Sequence, residues 1–306
     1  MKTLYVSQQG CYLSLQQEKI LVKQKQTTLT IVKLPLLEQI LIFGKSQLTT
    51  QVIRACLQRD IPIVYLSRMG FCYGRTLPLA RGYRQLARYQ QQLDFPLRLT
   101  VARAIVTAKI KNSRVILQRQ SRRLSTENLN FALNSLEYLI TKANQVENTE
   151  SLLGYEGTAA NCYFSALGEC LTNPDFPFLA RSRRPPGNPV NALLSFGYQV
   201  LWNHLLALLE LQGLDPYQAC LHQGNQRHAA LASDLIEEFR APIVDSLVLY
   251  LVNRKIVNAQ TDFEYYQGGC YLNNSGRKKY LKAFLQRMEQ EITTEGNSKQ
   301  PRWDLL

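Results

Sequence analysis

Near residue 79 the spacing of apolar residues changes period, and this change restricts the fold more than any other feature of the chain. Upstream, Thr3–Val6, Cys11–Leu15, Lys19–Lys23, Thr27–Val32, Gln39–Phe43 and Ile61–Leu66 are short runs rich in Val, Ile, Leu, Thr and Tyr, separated by polar or glycine breaks. Such runs read as strands, and their close succession predicts consecutive antiparallel pairing. One helix interrupts them, capped near Ser46 and periodic from Thr49 to Leu57. Downstream the period is helical. Helices are expected over Ala80–Gln92, Leu97–Arg123, Asn130–Lys142, Ser151–Cys170, Val190–Gln212 and Ala229–Phe239, then from Pro242 to Asn253 and over Gly276–Thr293. A proline-rich loop fills Pro174–Pro189, and a loose polar tail follows Thr294. The predicted architecture is α+β: a small N-terminal β domain with one helix, residues 1–78, followed by a larger all-α domain, residues 79–306.

Charge is segregated along the chain. The 306 residues carry a formal net charge of +13, but residues 1–80 contribute +7, residues 81–150 another +7 and residues 151–306 only −1. Charge kept only for solubility would be spread evenly. A basic first half beside an acid-bearing second half is the pattern of a polyanion track next to an acidic site. The densest basic stretch is Arg98–Arg123, with no acid between Phe95 and Thr126. At about 100° per residue, Arg103, Lys111, Arg114 and Arg122 share one quarter of a helix circumference, while Ile105, Val106, Ile110, Ile116 and Leu117 fall on another face. This face suits backbone phosphates, although a solvated face reads the same way.

Other classes are unfavourable. At 45% hydrophobic and 19% charged residues the chain can bury a core, so a disordered chain is excluded. The most apolar run, Ile243–Val252, is short and contains Asp245, and Gln8, Gln9 and Gly10 interrupt any signal-peptide core. No membrane association and a cytoplasmic location are therefore expected. Seven cysteines without CxxC spacing suit reduced, mostly buried thiols, and three histidines allow one metal ligand but not a histidine cage.

Three segments carry the chemistry. In LLGYEGTAANCYF, residues 152–164, Glu156 lies between two glycines in an otherwise apolar helix, with Tyr163 seven residues on and on the same face. Glycine weakens a helix by about 1 kcal/mol relative to alanine, so two of them call for a reason, and room beside the carboxylate is one. A first-turn glutamate favoured by the helix dipole is the other reading. In CLHQGNQRHAALASDLIEEFR, residues 220–240, Asp234, Glu237 and Glu238 fall on one helical face with His222 and His228 upstream. Clustered acids repel unless a cation neutralises them, and carboxylates with one imidazole suit Mg²⁺ or Mn²⁺; an exposed acidic face countered by Arg240 remains the alternative. In RSRRPPGNPVNALLSFGYQVL, residues 181–201, Pro185 and Pro186 stiffen a loop carrying Arg181, Arg183 and Arg184.

Together these segments resemble the CRISPR-associated integrase family of spacer acquisition, "Cas-one". The matching strings are GYEGTAANCYF, RSRRPPGNPVNALLSFGYQVL and DLIEEFRAPIVD, supported by TLYVSQQGCYLSL, IFGKSQLTTQVIRACLQRDIPIVYLSRMG and GGCYLNNSGRKKYLKAF, in order from about Thr3 to Glu289. The resemblance implies a divalent-metal site of Glu156, His222 and Glu237, with Asp234 supporting or joining it and no role for His228. It implies DNA contacts by Arg103, Lys111, Arg114, Arg122, Tyr163, Arg181, Arg183 and Arg184. The implied activity joins the 3′-hydroxyl of a short DNA to a phosphodiester at the CRISPR repeat edge, using Mg²⁺ or Mn²⁺. The implied partners are a protospacer duplex, the repeat DNA, a second copy bound through the β domain, and a small adaptation protein, "Cas-two". Two rivals are a non-catalytic basic nucleic-acid scaffold, against which the intact ligand set argues, and a general branched-DNA nuclease.

Overall fold

The computed structural model describes residues 3–79, 85–222, 228–293 and 299–306. The chain falls into two compact units, Met1–Tyr83 together with Leu272–Leu306, and Arg84–Tyr271. The sequence predicts one division near residue 79; instead the last helix belongs with the N-terminal strands.

In the first unit the strands are β1 (Thr3–Val6), β2 (Cys11–Gln16), β3 (Lys19–Gln24), β4 (Thr27–Lys33), β5 (Gln39–Phe43), β6 (Ser46–Leu48), β7 (Ile63–Leu66) and β8 (Cys72–Thr76), with α1 (Thr50–Leu57) between β6 and β7. They form two four-stranded sheets, β1-β5-β7-β8 and β4-β3-β2-β6. Strands β2, β3 and β4 make an antiparallel run, as expected, and β7 pairs antiparallel with β8. Strand β1 pairs parallel with β5, and β5 parallel with β7. The reason is composition: β5 is buried at all five positions, as a parallel strand covered on both faces should be. Leu4, Leu13, Ile20, Ile40, Val52 and Ile63 close one core across both sheets. Ser46 is not the cap of α1, because Ser46–Leu48 pairs with β2; the Thr49 hydroxyl accepts from Val52 N at 3.3 Å instead. The C-terminal part of this unit is α8 (Asn274–Glu289) with β11 (Glu291–Thr293) and β12 (Lys299–Pro301), an antiparallel pair. The tail after β12 is tied down by Trp303, which packs edge-on against Phe284 with ring centroids 6.1 Å apart. Residues 294–298 of the expected loose tail lie outside the described residues.

The second unit holds α2 (Gln85–Gln92), α3 (Phe95–Ser121), α4 (Glu127–Ala143), α5 (Thr149–Glu169), α6 (Pro189–Leu211) and α7 (Ala230–Phe239). The expected start of α2 at Ala80–Arg84 lies outside the described residues. Asp94, Thr126, Asn148 and Asn188 each cap the following helix by accepting from a backbone N–H three residues on. After α7 the chain widens into a π-helical stretch, Arg240–Asp245, and continues as a helix over Ser246–Asn253. The hairpin β9 (Phe263–Tyr266) and β10 (Gly269–Leu272) follows; its two turn residues, Gln267 and Gly268, both have positive φ. Helix α6 is long and apolar enough to span a bilayer. In its most apolar 18-residue window 72% is buried inside the fold, the signature of a core helix.

Each unit contains one of the chain's two tryptophans, Trp202 and Trp303. Phe284→Ala should destabilise the N-terminal unit by about 3–5 kcal/mol, the usual cost of emptying a buried aromatic site. In denaturant unfolding followed by Trp303 fluorescence in a Trp202→Phe background, the midpoint should fall. The Trp202 transition in a Trp303→Phe background should not move.

Candidate active site

Helix α5 positions Glu156. Asn148 caps the helix and Glu150 occupies its first turn, so Glu156 lies two turns inside and the dipole does not account for it. A Cβ added at Gly154 or Gly157 would meet no atom within 4 Å. Both glycine positions thus border open space.

Glu156 does not stand alone. Lys109, halfway along α3, ion-pairs with Glu156 and lies 2.6 Å from Glu237 Oε2 on α7. Arg240 Nη1 takes the other Glu237 oxygen at 2.8 Å. Glu237 is 2% exposed, so the exposed-acidic-face reading does not hold. Burial pushes its carboxyl up, but Arg240 and Lys109, with a smaller contribution from His222, outweigh burial and bring it below the usual carboxylate range.

Asp234, fully buried one turn before Glu237, is saturated. It accepts from the backbone N–H groups of Cys220 at 2.7 Å, Leu221 at 2.9 Å and His222 at 2.9 Å, and pairs with His222 Nδ1 at 2.8 Å. It builds the turn that carries His222 and fixes the ring through Nδ1. Metal-binding histidines commonly hold a carboxylate through their other nitrogen. His228 is committed elsewhere: its Nε2 lies 2.9 Å from Ser233 Oγ and its ring stacks on Trp202.

The π-helical stretch completes the site. Pro242 has no N–H to give the carbonyl of Glu238, four residues back, and Asn112 Nδ2 of α3 donates to that oxygen at 2.8 Å. Widening brings Arg240 and Asp245, five residues apart, onto one side chain, Tyr198. The Arg240 guanidinium lies 4.8 Å from the Tyr198 ring centre, and the Tyr198 hydroxyl donates to Asp245 at 2.5 Å. Tyr163 donates to the other Asp245 oxygen at 2.9 Å. Burial pushes the Asp245 carboxyl up to about 6, against the opposing pull of both tyrosines and of Arg240 and Arg181. None of Lys109, Asn112, Tyr198, Arg240 and Asp245 was assigned to the site from sequence; the available signal was Lys109 and Asn112 falling among Ile105, Val106 and Ile116 on the apolar face of α3.

The residues expected to contact DNA divide into two groups. Lys111, Arg122, Arg183 and Arg184 are exposed, as are Arg119 and Arg123. The others are engaged within the protein. Arg103 donates to Val146 O, and Arg114 pairs with Glu137 at 2.7 Å and donates to Leu133 O. Tyr163 is buried on Asp245. Arg181 donates to Asn191 and Ser195 at 2.9 Å each, and burial lowers its pKa. The supposed single cationic face of α3 is therefore split, because α4 packs on the side that carries Arg103 and Arg114.

Comparison with known proteins decides the family. The family model described as CRISPR associated protein Cas1 matches residues 4–286. This chain belongs to the Cas1 family. A Cas4 exonuclease/Cas1 endonuclease fusion of Geobacter sulfurreducens is 36% identical over 95% of the chain, which spans 53% of that longer protein. The solved Cas1 protein of Thermotoga maritima superposes with a TM-score of 0.80 at 28% identity, covering 94% of this chain and 90% of that one. A Cas6–reverse transcriptase–Cas1 protein solved in complex with Cas2 gives a TM-score of 0.80 at 26% identity, covering 97% of this chain and 33% of that one. The α+β architecture and the identity read from the segments around Glu156, Arg181–Arg184 and Asp234–Arg240 agree with these relatives.

Asp245 yields a pH signature. Its folded pKa is above the ordinary value of 3.8, so the native state holds the proton more tightly than the unfolded chain. Stability contributed by this group is therefore lost as pH rises from about 4 to 6, and at neutral pH the cost is roughly 3 kcal/mol. Asp245→Asn removes that titration. The difference in melting temperature, variant minus wild type, should grow more positive between pH 4 and pH 7.

Proposed function

We propose that this chain is a divalent-metal-dependent DNA endonuclease and integrase that inserts short DNA fragments into a CRISPR array by transesterification. The observation that carries the reading is the convergence of Glu156 and Glu237, from helices α5 and α7, on a single cation position. The His222 ring is oriented by Asp234, which stands one turn before Glu237 on the same helix.

The donor set suits a hard or borderline ion such as Mg²⁺ or Mn²⁺: two carboxylates, one imidazole, and room beside Gly154 and Gly157. Among the described residues no group of three His, Cys, Asp or Glu is positioned to hold an ion as it stands, and Lys109 bridges the two glutamates. Glu156, His222 and Glu237 would hold the ion, with Asp234 as the residue that orients His222. Bound there, the ion supplies Lewis-acid stabilisation of charge developing on phosphoryl oxygens. The protein supplies placement: Arg183 and Arg184 on the stiff proline loop, and Lys111, Arg119, Arg122 and Arg123 along α3, neutralise and register the DNA backbone. The 3′-hydroxyl of the incoming strand attacks a repeat phosphodiester and the bond to the old 3′-oxygen breaks, so phosphodiester number is conserved. A homodimer formed through the β domain, a Cas2 partner and action in the cytoplasm complete the reading. The likeness to a protein solved with Cas2 supports the partner.

The test is an integration assay with the purified chain, its Cas2 partner, labelled duplex DNA and a repeat-bearing plasmid. Glu156→Ala and His222→Ala should each abolish strand transfer and leave DNA affinity within about twofold, since binding rests on Lys and Arg. His228→Ala should retain most activity. Near-wild-type integration by Glu156→Ala would return the non-catalytic scaffold. Reversing Lys111 and Arg122 to Glu should weaken DNA binding and flatten its salt dependence by about two counterions. Reversing Arg114 should instead lower stability, because it is paired with Glu137.

A further inference from the structure

Lys109 has no assigned part in the reaction, yet it holds the centre of the site. Its side chain is 12% exposed and lies between two carboxylates carried by different helices. A buried ammonium is tolerated only where such partners compensate it. With Arg240 on the far oxygen of Glu237, two positive and two negative charges balance. A divalent ion entering between Glu156 and Glu237 would face the ammonium at close range, and two cations cannot share the same pair of oxygens.

One of the two resident cations must therefore give way, and the structure distinguishes them. The Arg240 guanidinium is stacked on Tyr198, which is itself held by Asp245. Lys109 is a compact charge on a flexible stem. A cavity of about 20 Å³ beside it, bordered by Ser113, Ala160 and Arg183, has space for one group of water size. We propose that Lys109 is the metal-free protein's own counter-cation: it keeps Glu156 and Glu237 together in a ligand-ready arrangement and is displaced when the divalent ion binds. This rests on the metal-site reading above. Lys109 is thus a positioning residue, and it weakens the apparent affinity for the ion by competing for the same oxygens.

The experiment uses the full chain and Mn²⁺ as the probe. Free Mn²⁺ is followed by electron paramagnetic resonance during titration, and thermal melting is recorded with chelator and with Mn²⁺. Lys109→Met should bind Mn²⁺ at least about tenfold more tightly than wild type, because the competing charge is gone. Its metal-free form should melt lower, and Mn²⁺ should raise its melting temperature by more than it raises that of wild type. Lys109→Arg keeps the charge and should bind Mn²⁺ no more tightly than wild type. If Lys109→Met is too unstable without metal, Lys109→Gln, which retains a hydrogen-bond donor, gives the same affinity comparison. Equal Mn²⁺ affinity in wild type and the neutral variants overturns the displacement proposal while leaving the metal site standing. Mn²⁺ binding by neither protein, or binding unchanged by Glu156→Gln, overturns the metal-site reading and this proposal with it.

Discussion

The ion pairs of Lys109 tie together three helices that are far apart in sequence. Helix α3 contributes the lysine, α5 the first glutamate, 47 positions further along the chain, and α7 the second, so one ammonium fixes the relative placement of all three helices. Three residues along α3, Asn112 binds the Glu238 carbonyl and holds α7 by its backbone as well. The two contacts act at different levels. Lys109 neutralises charge that would otherwise drive α5 and α7 apart, while Asn112 fills a hydrogen bond that Pro242 cannot make. Helix α3 is accordingly a strut whose polar groups on an otherwise apolar face define the site.

The π-helical stretch is the second element of this design. A proline inside a helical run costs a backbone bond and usually kinks the helix. Here the chain absorbs it by widening, and the wider turn aligns Arg240 with Asp245. Both then meet Tyr198, and the chain of contacts runs Asp245, Tyr198, Arg240, Glu237. A buried carboxylate with a raised pKa is an expense the fold could avoid with an apolar residue. Its retention next to two tyrosines makes sense as rigidity: Arg240 is held so that Glu237 presents one defined oxygen toward Lys109. Single-turn π elements recur at functional sites for this kind of re-aiming.

How much of this was legible in the sequence depends on whether a residue's role is local. The helices of the second unit follow from apolar period and from Asp94, Thr126, Asn148 and Asn188 at their starts, all short-range signals. Glu156 stood out through its flanking glycines, and Asp234 and Glu237 through their spacing. The parallel pairing of β1, β5 and β7 was hidden, since nothing within a four- or five-residue apolar strand specifies which distant strand it meets. The attachment of α8 to the N-terminal unit was hidden for the same reason. The hairpin at Phe263–Leu272 was missed because Gln267 adopts positive φ without the usual Asn or Asp. Asp234 was legible as an acid but not as a saturated one, because its partners are backbone N–H groups fourteen to twelve residues upstream.

The charge segregation takes on a different meaning in three dimensions. Its basic half does not simply form a surface for polyanions. Arg98 is spent on the carbonyls of Gln90, Leu93 and Ala219, Arg103 on Val146, Lys109 on the acids of the second half, and Arg114 on Glu137. These cations organise the helical unit. Lys111, Arg119, Arg122 and Arg123 remain exposed on the same helix. One helix thus has two electrostatic functions separated by direction: charges turned inward assemble the acidic centre, and charges turned outward are available to phosphates. The outward cations therefore stand on the same element that sets the spacing of Glu156 and Glu237.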